Sequence, residues 1–343
     1  MEAYRIPLAR ARDILEKTKH VRVAFIGDMC LDAYWRADMK RSLLSKETPH
    51  FPLPIVEERY APGGGANVTA NLAALGVGGL RALSVLGDDW RGMLLSRELE
   101  NRGIDLSGVV KTDAWRTAAY CKPLRGGLSD VVYEDPRLDF ENDAPPPAEA
   151  EESLLRAVAA LPGAVDAVAV TEQLACGVMT PRVRAAVCAL GRQMPVVVDS
   201  RVQAHLYRDV IVKPNEHEAA LFGVNLTLAQ GCLTGALCGQ AVRDIAAQTN
   251  APAVITLGAQ GAVMFDGAAA VHAAAFPCEP PVDIVGAGDT FLAAVTAALG
   301  AHASLAEAVS LGCAASAVTV QKIGETGTAT AEEILAVLER AEA

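Results

Sequence analysis

The stretch that decides the fold is Ala164-Val165-Asp166-Ala167-Val168-Ala169-Val170, a run of small and β-branched residues typical of a buried strand. A helical pattern over 181–193 and a second apolar run, Val196 to Asp199, follow it. The same order extends outward, with strands predicted at 21–26, 80–86, 210–213 and 253–257 and helices at 5–17, 67–75, 90–101, 149–161, 215–221, 240–248 and 291–299. Strands that alternate with helices predict an α/β fold with a mostly parallel sheet covered on both faces.

Two segments break this alternation. Residues 36–58 are polar and contain three prolines, and residues 117–140 are interrupted by Gly126-Gly127. Both are typical of exposed strands and turns rather than of helices. We therefore predict one domain over 1–343 with a small β lid formed by insertions at about 36–60 and 112–142.

The composition excludes several classes of function. Hydrophobic residues make up 51 % of the 343 residues and the formal net charge is −11, which predicts a large core and disfavours nucleic acid and anionic membranes as partners. The eight cysteines include no Cys-x-x-Cys pair, which is typical of buried thiols in a reducing compartment. No signal peptide or membrane-spanning segment is predicted, so a cytoplasmic location is expected.

The strongest chemical signal is Gly286-Ala287-Gly288-Asp289-Thr290 before an apolar helix. Small residues at a helix start let successive backbone N–H groups converge on an anion. A carboxylate in that position suits a base that takes a proton from a hydroxyl beside a phosphate that is being transferred. The alternative is an ordinary Asp cap on a glycine-rich turn, and the local sequence leaves both open.

Three further motifs carry polar groups, each with a simpler structural alternative. Gly63-Gly64-Gly65 with Asn67 would let a ligand approach the backbone, or would form a flexible capped turn. Asn215 and Glu218, three residues apart after Lys213, could organise Mg²⁺ beside phosphates, or could simply cap a helix. Two carboxylates after the first predicted strand, Asp28 and Asp32, suit recognition of a polyol, or are solvated loop residues.

Two common nucleotide-binding motifs are missing. The sequence contains no Gly-x-x-x-x-Gly-Lys-Ser/Thr, and Gly286-Ala287-Gly288 lacks the third glycine of the dinucleotide fingerprint. A P-loop enzyme and a dehydrogenase are both disfavoured.

In this order, the motifs resemble those of the ribokinase-like PfkB carbohydrate kinases, from about Val21 to the end of the chain. The sequence looks nearest to the heptose-7-phosphate kinase branch, whose segments resemble Leu31 to Trp35, Ser45 to Pro49, Arg137 to Glu141 and Lys322 to Thr328. Lys46 and Thr48 depart from the Pro and Ala of that branch, and Ile284 replaces the usual Thr or Val. That branch is often fused to a C-terminal adenylyltransferase, and the end of this chain predicts that the second activity is absent.

The resemblance implies a ribokinase-like three-layer α/β/α fold and a role for each matching residue. The implied roles are: Asp289 as catalytic base; Gly286, Ala287 and Gly288 as anion hole; Asp32, Gly64, Gly65 and Asn67 around the sugar; Lys213, Asn215, Glu218, Thr256, Gly258 and Gly261 at the nucleotide; Asn215 and Glu218 at Mg²⁺, directly or through water; and Asp283 and Val285 at a monovalent cation such as K⁺. Four basic lid residues, Arg41, Lys46, Lys122 and Arg137, are candidates for a phosphate already on the sugar. For each of them, ordinary solvated charge is the simpler interpretation.

The sequence therefore predicts an ATP- and Mg²⁺-dependent kinase for a sugar or sugar phosphate, with a homodimer formed through the lid. One alternative is a kinase for an unphosphorylated sugar or a nucleoside. The other is a catalytically silent protein of the same fold that senses a sugar or nucleotide.

Overall fold

The computed structural model describes residues 3–226, 235–324 and 326–342. It contains two sheets and two layers of helices. The strands are β1 (Ala3–Tyr4), β2 (Arg22–Gly27), β3 (Met29–Asp38), β4 (Ile55–Gly64), β5 (Gly79–Gly87), β6 (Asp105–Thr112), β7 (Ala118–Gly126), β8 (Tyr133–Glu134), β9 (Leu138–Phe140), β10 (Ala167–Glu172), β11 (Val196–Ser200), β12 (Ile211–Val212), β13 (Ala253–Thr256), β14 (Ala262–Phe265) and β15 (Ala270–Ala273). The α-helices are α1 (Leu8–Thr18), α2 (Gly65–Ala74), α3 (Trp90–Glu100), α4 (Ala148–Ala159), α5 (Pro181–Gly191), α6 (Gly235–Thr249), α7 (Ala287–Gly300), α8 (Leu305–Thr319) and α9 (Ala331–Glu342).

The large sheet has ten strands in the order β1-β15-β14-β13-β12-β11-β10-β2-β5-β6. All neighbours in it are parallel except β13–β14 and β14–β15, which are antiparallel. The carboxyl ends of β2, β10, β11 and β12 therefore meet at one edge. That edge is where ligands bind in open α/β sheets.

The sheet is buried on both faces, as β2 shows. Val23 and Phe25 pack into one core cluster, with α1, α2, α7, α8 and α9, whereas Ala24 and Ile26 pack into the other, with α4, α5 and α6. Successive side chains of a strand point to opposite faces, so a strand that is apolar throughout must have a core on each side. The predicted three-layer α/β/α architecture is confirmed.

The second sheet forms the lid, with strand order β4-β3-β7-β8 and β9 also paired to β7. Its first strand begins at Met29, well before the predicted start at residue 36, because β3 leaves β2 after the single residue Asp28. The other predicted insertion contributes β7, β8 and β9, all within 117–140.

One local prediction is wrong. Residues 215–221 do not form an α-helix; only a short 3₁₀ helix, Glu218–Phe222, is present, and it ends at Gly223 in the left-handed conformation. None of the helices in the described part of the chain has the length and apolar character needed to span a membrane.

Candidate active site

The Asp289 carboxylate lies in the first turn of α7, where the sequence places the candidate base. Gly286 precedes the helix with φ 80°, a left-handed conformation that favours glycine. Asn67, buried in α2, donates a hydrogen bond from Nδ2 to Asp289 Oδ2 at 2.9 Å. The two glycine-rich helix starts therefore meet, and the simple capping alternative for Asp289 does not account for this partner on another helix.

Burial raises the pKa of Asp289 to about 6. The Asn67 hydrogen bond and the positive charges of Lys213 and Arg201 lower that pKa, whereas the negative charge of Asp199 raises it. A carboxylate with such a pKa is still largely ionised at neutral pH and is a stronger base than an ordinary Asp.

We expect kcat/KM to fall as the pH drops through about 6, because only the ionised Asp289 can accept a proton. The Asn67→Ala variant should move the acidic limb of the pH profile to higher pH, since it removes a hydrogen bond that lowers the Asp289 pKa. Initial rates at limiting sugar, measured across the range from about pH 5 to pH 8, test this. A limb near the ordinary Asp pKa of about 4 would contradict it.

The predicted anion hole lies against a buried ion pair. Lys213 Nζ contacts Asp199 Oδ2 at 2.9 Å, and both atoms lie 4.0 Å from the position that a Cβ on Gly288 would occupy. The Ala287 N–H already donates to the Ile284 carbonyl at 3.2 Å, so an anion would have to compete with that carbonyl for the N–H group. Gly288 therefore provides the open approach to the Lys213 charge.

Lys213 is surrounded by carboxylates. Burial alone would lower its pKa, but the negative charges of Asp199, Glu218 and Asp289 outweigh burial and raise it. Burial, together with the negative charge of Asp199, raises the pKa of Glu218. Three carboxylates around one ammonium leave an excess of negative charge that a bound cation would offset.

Asn215 and Glu218 bind each other's backbone. Asn215 Oδ1 accepts from the Glu218 N–H at 2.8 Å, and Glu218 Oε2 accepts from the Asn215 N–H at 2.9 Å. This reciprocal cap replaces the shared face of an α-helix that the sequence predicted. One Glu218 oxygen remains for water or a cation.

The other predicted nucleotide residues lie beside this cap. Thr256 forms a parallel bridge with Asn215, and its N–H donates to the Pro214 carbonyl at 3.0 Å. Gly258 and Gly261 follow with φ of 53° and 87°, both left-handed conformations in which a side chain would be strained. Lys213, Asn215, Glu218 and the turn after β13 thus form one edge of the site.

No group of three or more Asp, Glu, His or Cys side chains that could enclose a metal occurs in the described part of the chain. Oxygen ligands for Mg²⁺ are nevertheless present at Asp199 and Glu218, and Mg²⁺ typically keeps waters and shares substrate phosphates. The residues therefore fit a shared magnesium site rather than an all-protein cage. Asp283 Oδ1 and Oδ2 accept from the Val285 and Gly324 N–H groups at 3.0 Å each, which orders the loop where a monovalent cation was predicted.

Asp32 is the centre of a polar cluster under the lid. It is 6 % exposed, and its Oδ2 accepts from Lys122 Nζ at 3.3 Å and from Thr326 Oγ1 at 3.2 Å. Lys122 also donates to the Tyr34 hydroxyl at 3.1 Å, and a Cβ on Gly63 would lie 2.7 Å from Asp32 Oδ1. The bare backbone of the glycine run is therefore required for Asp32 to take this position.

The glycines at the start of α2 are equally constrained. Gly64 has φ 53°, and a Cβ on Gly65 would lie 2.2 Å from Phe25 Cζ. They bring Asn67 close to β2 and the edge of the sheet. Their alternative as a flexible turn does not agree with this packing.

Asp28 does not act as predicted. It is 1 % exposed, and its two oxygens accept from the N–H groups of Gln173, Leu174 and Val178 at 2.8–2.9 Å. Burial raises its pKa to about 6. This carboxylate holds the loop after β10 in place and is not part of a polyol site.

The basic lid residues are used differently from one another. Lys122 is in the Asp32 cluster, whereas Arg137 is paired with Asp139 at 2.6 Å and stacks on Tyr120. Arg41 and Lys46 are exposed in the segment between β3 and β4. Of the four candidates for a substrate phosphate, the structure places Lys122 beside Asp32.

Four residues of the site escaped the sequence reasoning: Asp199, Arg201, Tyr34 and Thr326. Asp199 is the penultimate residue of β11 and Lys213 directly follows the adjacent strand β12, and the register of these strands pairs Val198 with Val212. Their proximity follows from that pairing and could have been inferred from two parallel strands that both end in a charge. Thr326 gives no comparable signal, because it is distant in sequence from Asp32.

The fold and this polar edge agree with the ribokinase-like sugar kinases that the sequence resembles, and comparison with known proteins gives the family. The model of the pfkB family carbohydrate kinases matches residues 22–332, and the chain belongs to that family. The sugar kinases of that family are phosphotransferases that act on hydroxyl groups.

Particular relatives refine the comparison. The chain is 32 % identical over 329 residues to the bifunctional protein HldE of Citrifermentans bemidjiense, covering 94 % of this chain and 64 % of that one. It is also 32 % identical over 333 residues to HldE of Geobacter metallireducens, covering 95 % of this chain and 63 % of that one. The chain therefore spans less than two thirds of the length of these curated relatives.

Solved structures show the same fold. Phosphofructokinase-2 from Escherichia coli in complex with potassium superposes with a TM-score of 0.71 at 21 % identity, covering 94 % of this chain and all of that one. Ribokinase from Arabidopsis thaliana, complexed with ribose and ATP, superposes with a TM-score of 0.68 at 20 % identity, covering 93 % of this chain and 99 % of that one.

Proposed function

We propose that this carbohydrate kinase transfers the γ-phosphate of ATP to a hydroxyl of a sugar phosphate, with heptose 7-phosphate as the first substrate to test. The observation that supports the proposal is the Asn67–Asp289 hydrogen bond beside the Asp32–Lys122 pair, an arrangement that would bring a base and a sugar site together. The similarity to HldE proteins and the lid segments of the heptose-7-phosphate kinase branch support this substrate class.

The Asp289 carboxylate would remove the proton from the substrate hydroxyl. The new oxygen–phosphorus bond forms as the bond between the γ-phosphorus and the bridging oxygen breaks, and ADP leaves with that electron pair. The Gly288 backbone and Lys213 would stabilise the charge on the transferred group. The β lid would exclude water from this transfer.

Each proposed cofactor is assigned to the residues that would surround it. ATP would lie along Lys213, Asn215 and the Thr256–Gly261 turn. Magnesium would be shared between its phosphates and the oxygens of Asp199 and Glu218, and it would neutralise phosphate charge. Asp283 and the backbone at Val285 would hold a monovalent cation such as K⁺ near the anion hole.

ATP consumption with a panel of sugars tests the proposed reaction. Heptose 7-phosphate, fructose 6-phosphate, heptose, fructose, ribose and adenosine should be compared at equal concentration with Mg²⁺ present. The proposal requires turnover with at least one phosphorylated sugar. Turnover with ribose or adenosine alone would instead favour a kinase for neutral substrates. Ligand binding without any ATP consumption would favour a silent sensor.

The lid supports a further part of the proposal, a homodimer. Many of its large apolar side chains are exposed, including Leu43 (79 %), Leu128 (76 %), Phe51 (62 %) and Tyr133 (61 %). Exposed apolar patches of this kind commonly mark protein interfaces.

We expect light scattering coupled to size exclusion to give twice the chain mass for the wild type. The Leu43→Asp/Leu128→Asp variant should elute as a monomer, because two charges would be buried in the interface. Met93→Asp, at a residue 63 % exposed on α3, is the matched control and should stay dimeric. A monomeric wild type would overturn this assignment.

A further inference from the structure

A cavity of about 490 Å³ adjoins the sugar site on the far side of Asn67 and is not explained by the transfer reaction. Its walls come from β4, α2, the end of α3 and the loop after α8. Asn67 and Thr326 line both this cavity and the catalytic cluster, since they bind Asp289 and Asp32 respectively. The cavity therefore shares two residues with the polar cluster around Asp289 and Asp32.

The charge of the cavity differs from that of the whole protein. The described residues that line it include three cations, Arg59, Arg102 and Lys322, and no carboxylate, although acidic residues outnumber basic ones by 41 to 30 in the chain. The three cations come from three separate elements. Arg102 and Lys322 also pair with Glu98 and Glu333, which do not line the cavity. Cations from three elements that face one space nevertheless favour an anion.

Each cation is held in place by groups outside the lining. Lys322 Nζ contacts Glu333 Oε1 at 2.8 Å, and Arg102 donates to Glu98 Oε2 at 2.8 Å. Arg59 stacks on the Tyr34 ring at 4.1 Å and donates to the Gly324 carbonyl at 3.3 Å. Side chains that are already ordered lose less entropy when they bind a ligand.

The α2 side of the cavity, which forms its floor, and the length of the cavity along this helix fit a small phosphorylated molecule. Ala70, Ala73 and Ala74 line it from α2, and their small side chains leave the space open. From Asn67 to Ala74 the helix advances by roughly 10 Å, at about 1.5 Å per residue. A sugar whose hydroxyl faces Asp289 would extend its opposite end along this floor.

We propose that the cavity binds a phosphomonoester on the end of the substrate remote from the hydroxyl that reacts, with Arg59 and Arg102 as its principal partners. This inference rests on the proposed function. It assigns the substrate phosphate to the wall of α2 rather than to Arg41, Lys46 or Arg137 of the lid. Thr328 supplies a hydroxyl donor beside the phosphate.

The test compares a phosphorylated sugar with the same sugar lacking phosphate. Arg102→Gln should lower kcat/KM for heptose 7-phosphate by about tenfold, as expected for loss of a hydrogen bond to a charged group. Its kcat/KM for unphosphorylated heptose should change less than about twofold. Arg97→Gln is the matched control, at an exposed arginine of α3, the helix that ends two residues before Arg102. Arg97 does not line the cavity, so this variant should leave kcat/KM unchanged for both sugars.

A second variant and direct binding separate the outcomes. Ala74→Leu should fill the floor and weaken calorimetric binding of heptose 7-phosphate more than binding of heptose. Equal losses for both sugars, or none, in Arg102→Gln would overturn the proposal. Inorganic phosphate that binds together with heptose 7-phosphate, without competition, would identify an effector site and overturn the substrate assignment.

Calorimetry also distinguishes failure of the proposed function. If the wild type turns over no sugar but binds heptose 7-phosphate more tightly than heptose, and Arg102→Gln removes that preference, the cavity assignment stands without the reaction. If the wild type phosphorylates sugars and Arg102→Gln does not discriminate between them, only the cavity assignment fails.

Discussion

Asp289→Asn is expected to lower kcat by about 10³-fold, within the range of about 10²–10⁴ for general base catalysis. The amide has nearly the same shape and can remain beside Asn67, but it cannot accept the substrate proton. Binding of ATP should change by less than about twofold, because the substitution removes chemistry rather than a nucleotide contact. Steady-state rates and calorimetry with ATP would measure the two quantities.

Asp244→Asn is the control for this substitution. It changes the same group on an exposed turn of α6, where the carboxylate contacts only Gln240 of its own helix among the described residues. This variant should retain wild-type turnover. Near-normal turnover in Asp289→Asn would contradict the assignment of the base, and loss of ATP binding there would instead indicate a structural role.

Arg184→Met is expected to lower the free energy of unfolding by about 3–5 kcal/mol, because it leaves a buried carboxylate without its cation. Glu172 is 3 % exposed and contacts Arg184 at 2.7 Å, and it also accepts from the Ser200 and Tyr207 hydroxyls at 2.8 and 3.0 Å. These two donors cannot replace a full positive charge in a buried site. Urea unfolding followed by circular dichroism would give the difference.

Arg182→Met provides a matched comparison two residues earlier on α5. Its side chain is 57 % exposed and pairs with Glu151 and Glu152. Because water screens this charge, Arg182→Met should lower the free energy of unfolding much less than Arg184→Met. The double variant Arg184→Met/Glu172→Met should recover most of the stability, since no charge stays buried. Equal losses in the free energy of unfolding for the two arginine variants would show that the buried Arg184–Glu172 pair stabilises the protein no more than an exposed pair.

Much of the large sheet could be predicted because its strands have a simple physical signature. Strands β2, β10 and β11 are buried on both faces, and their continuous apolar runs are easily distinguished from the amphipathic helices between them. The motifs at the strand ends also met as expected, as Asn67 and Asp289 show. Parallel topology alone brings such ends to one edge.

The parts that escaped prediction lack local signals. Nearly every residue of α8 is buried, so its sequence shows no polar face with helical spacing. The 215–221 segment begins with good capping residues, but Asn215 bonds across to β13 and the turn tightens to a 3₁₀ helix. Tertiary contacts decided both cases.

The position of Asp289 at the start of α7 beside Asn67 could be predicted from the sequence, whereas the other contacts of the candidate site could not. Asp289 carries a recognisable motif, whereas the approach of Thr326 to Asp32 depends on packing between segments far apart in sequence. The role of Asp28 was missed because three backbone N–H groups, invisible in a residue pattern, satisfy its carboxylate.

The first strand of the lid directly follows a strand of the central sheet, and this limits where the length of the lid can vary. Strand β3 starts one residue after β2, and it is paired with β4 on one side and with β7 on the other. Insertions or deletions near that junction would shift the register of every lid strand and displace Asp32. Length differences among relatives should therefore occur at the distal turns, 42–54 and 127–132, which leaves substrate range free to diverge there while the base of the lid stays constant.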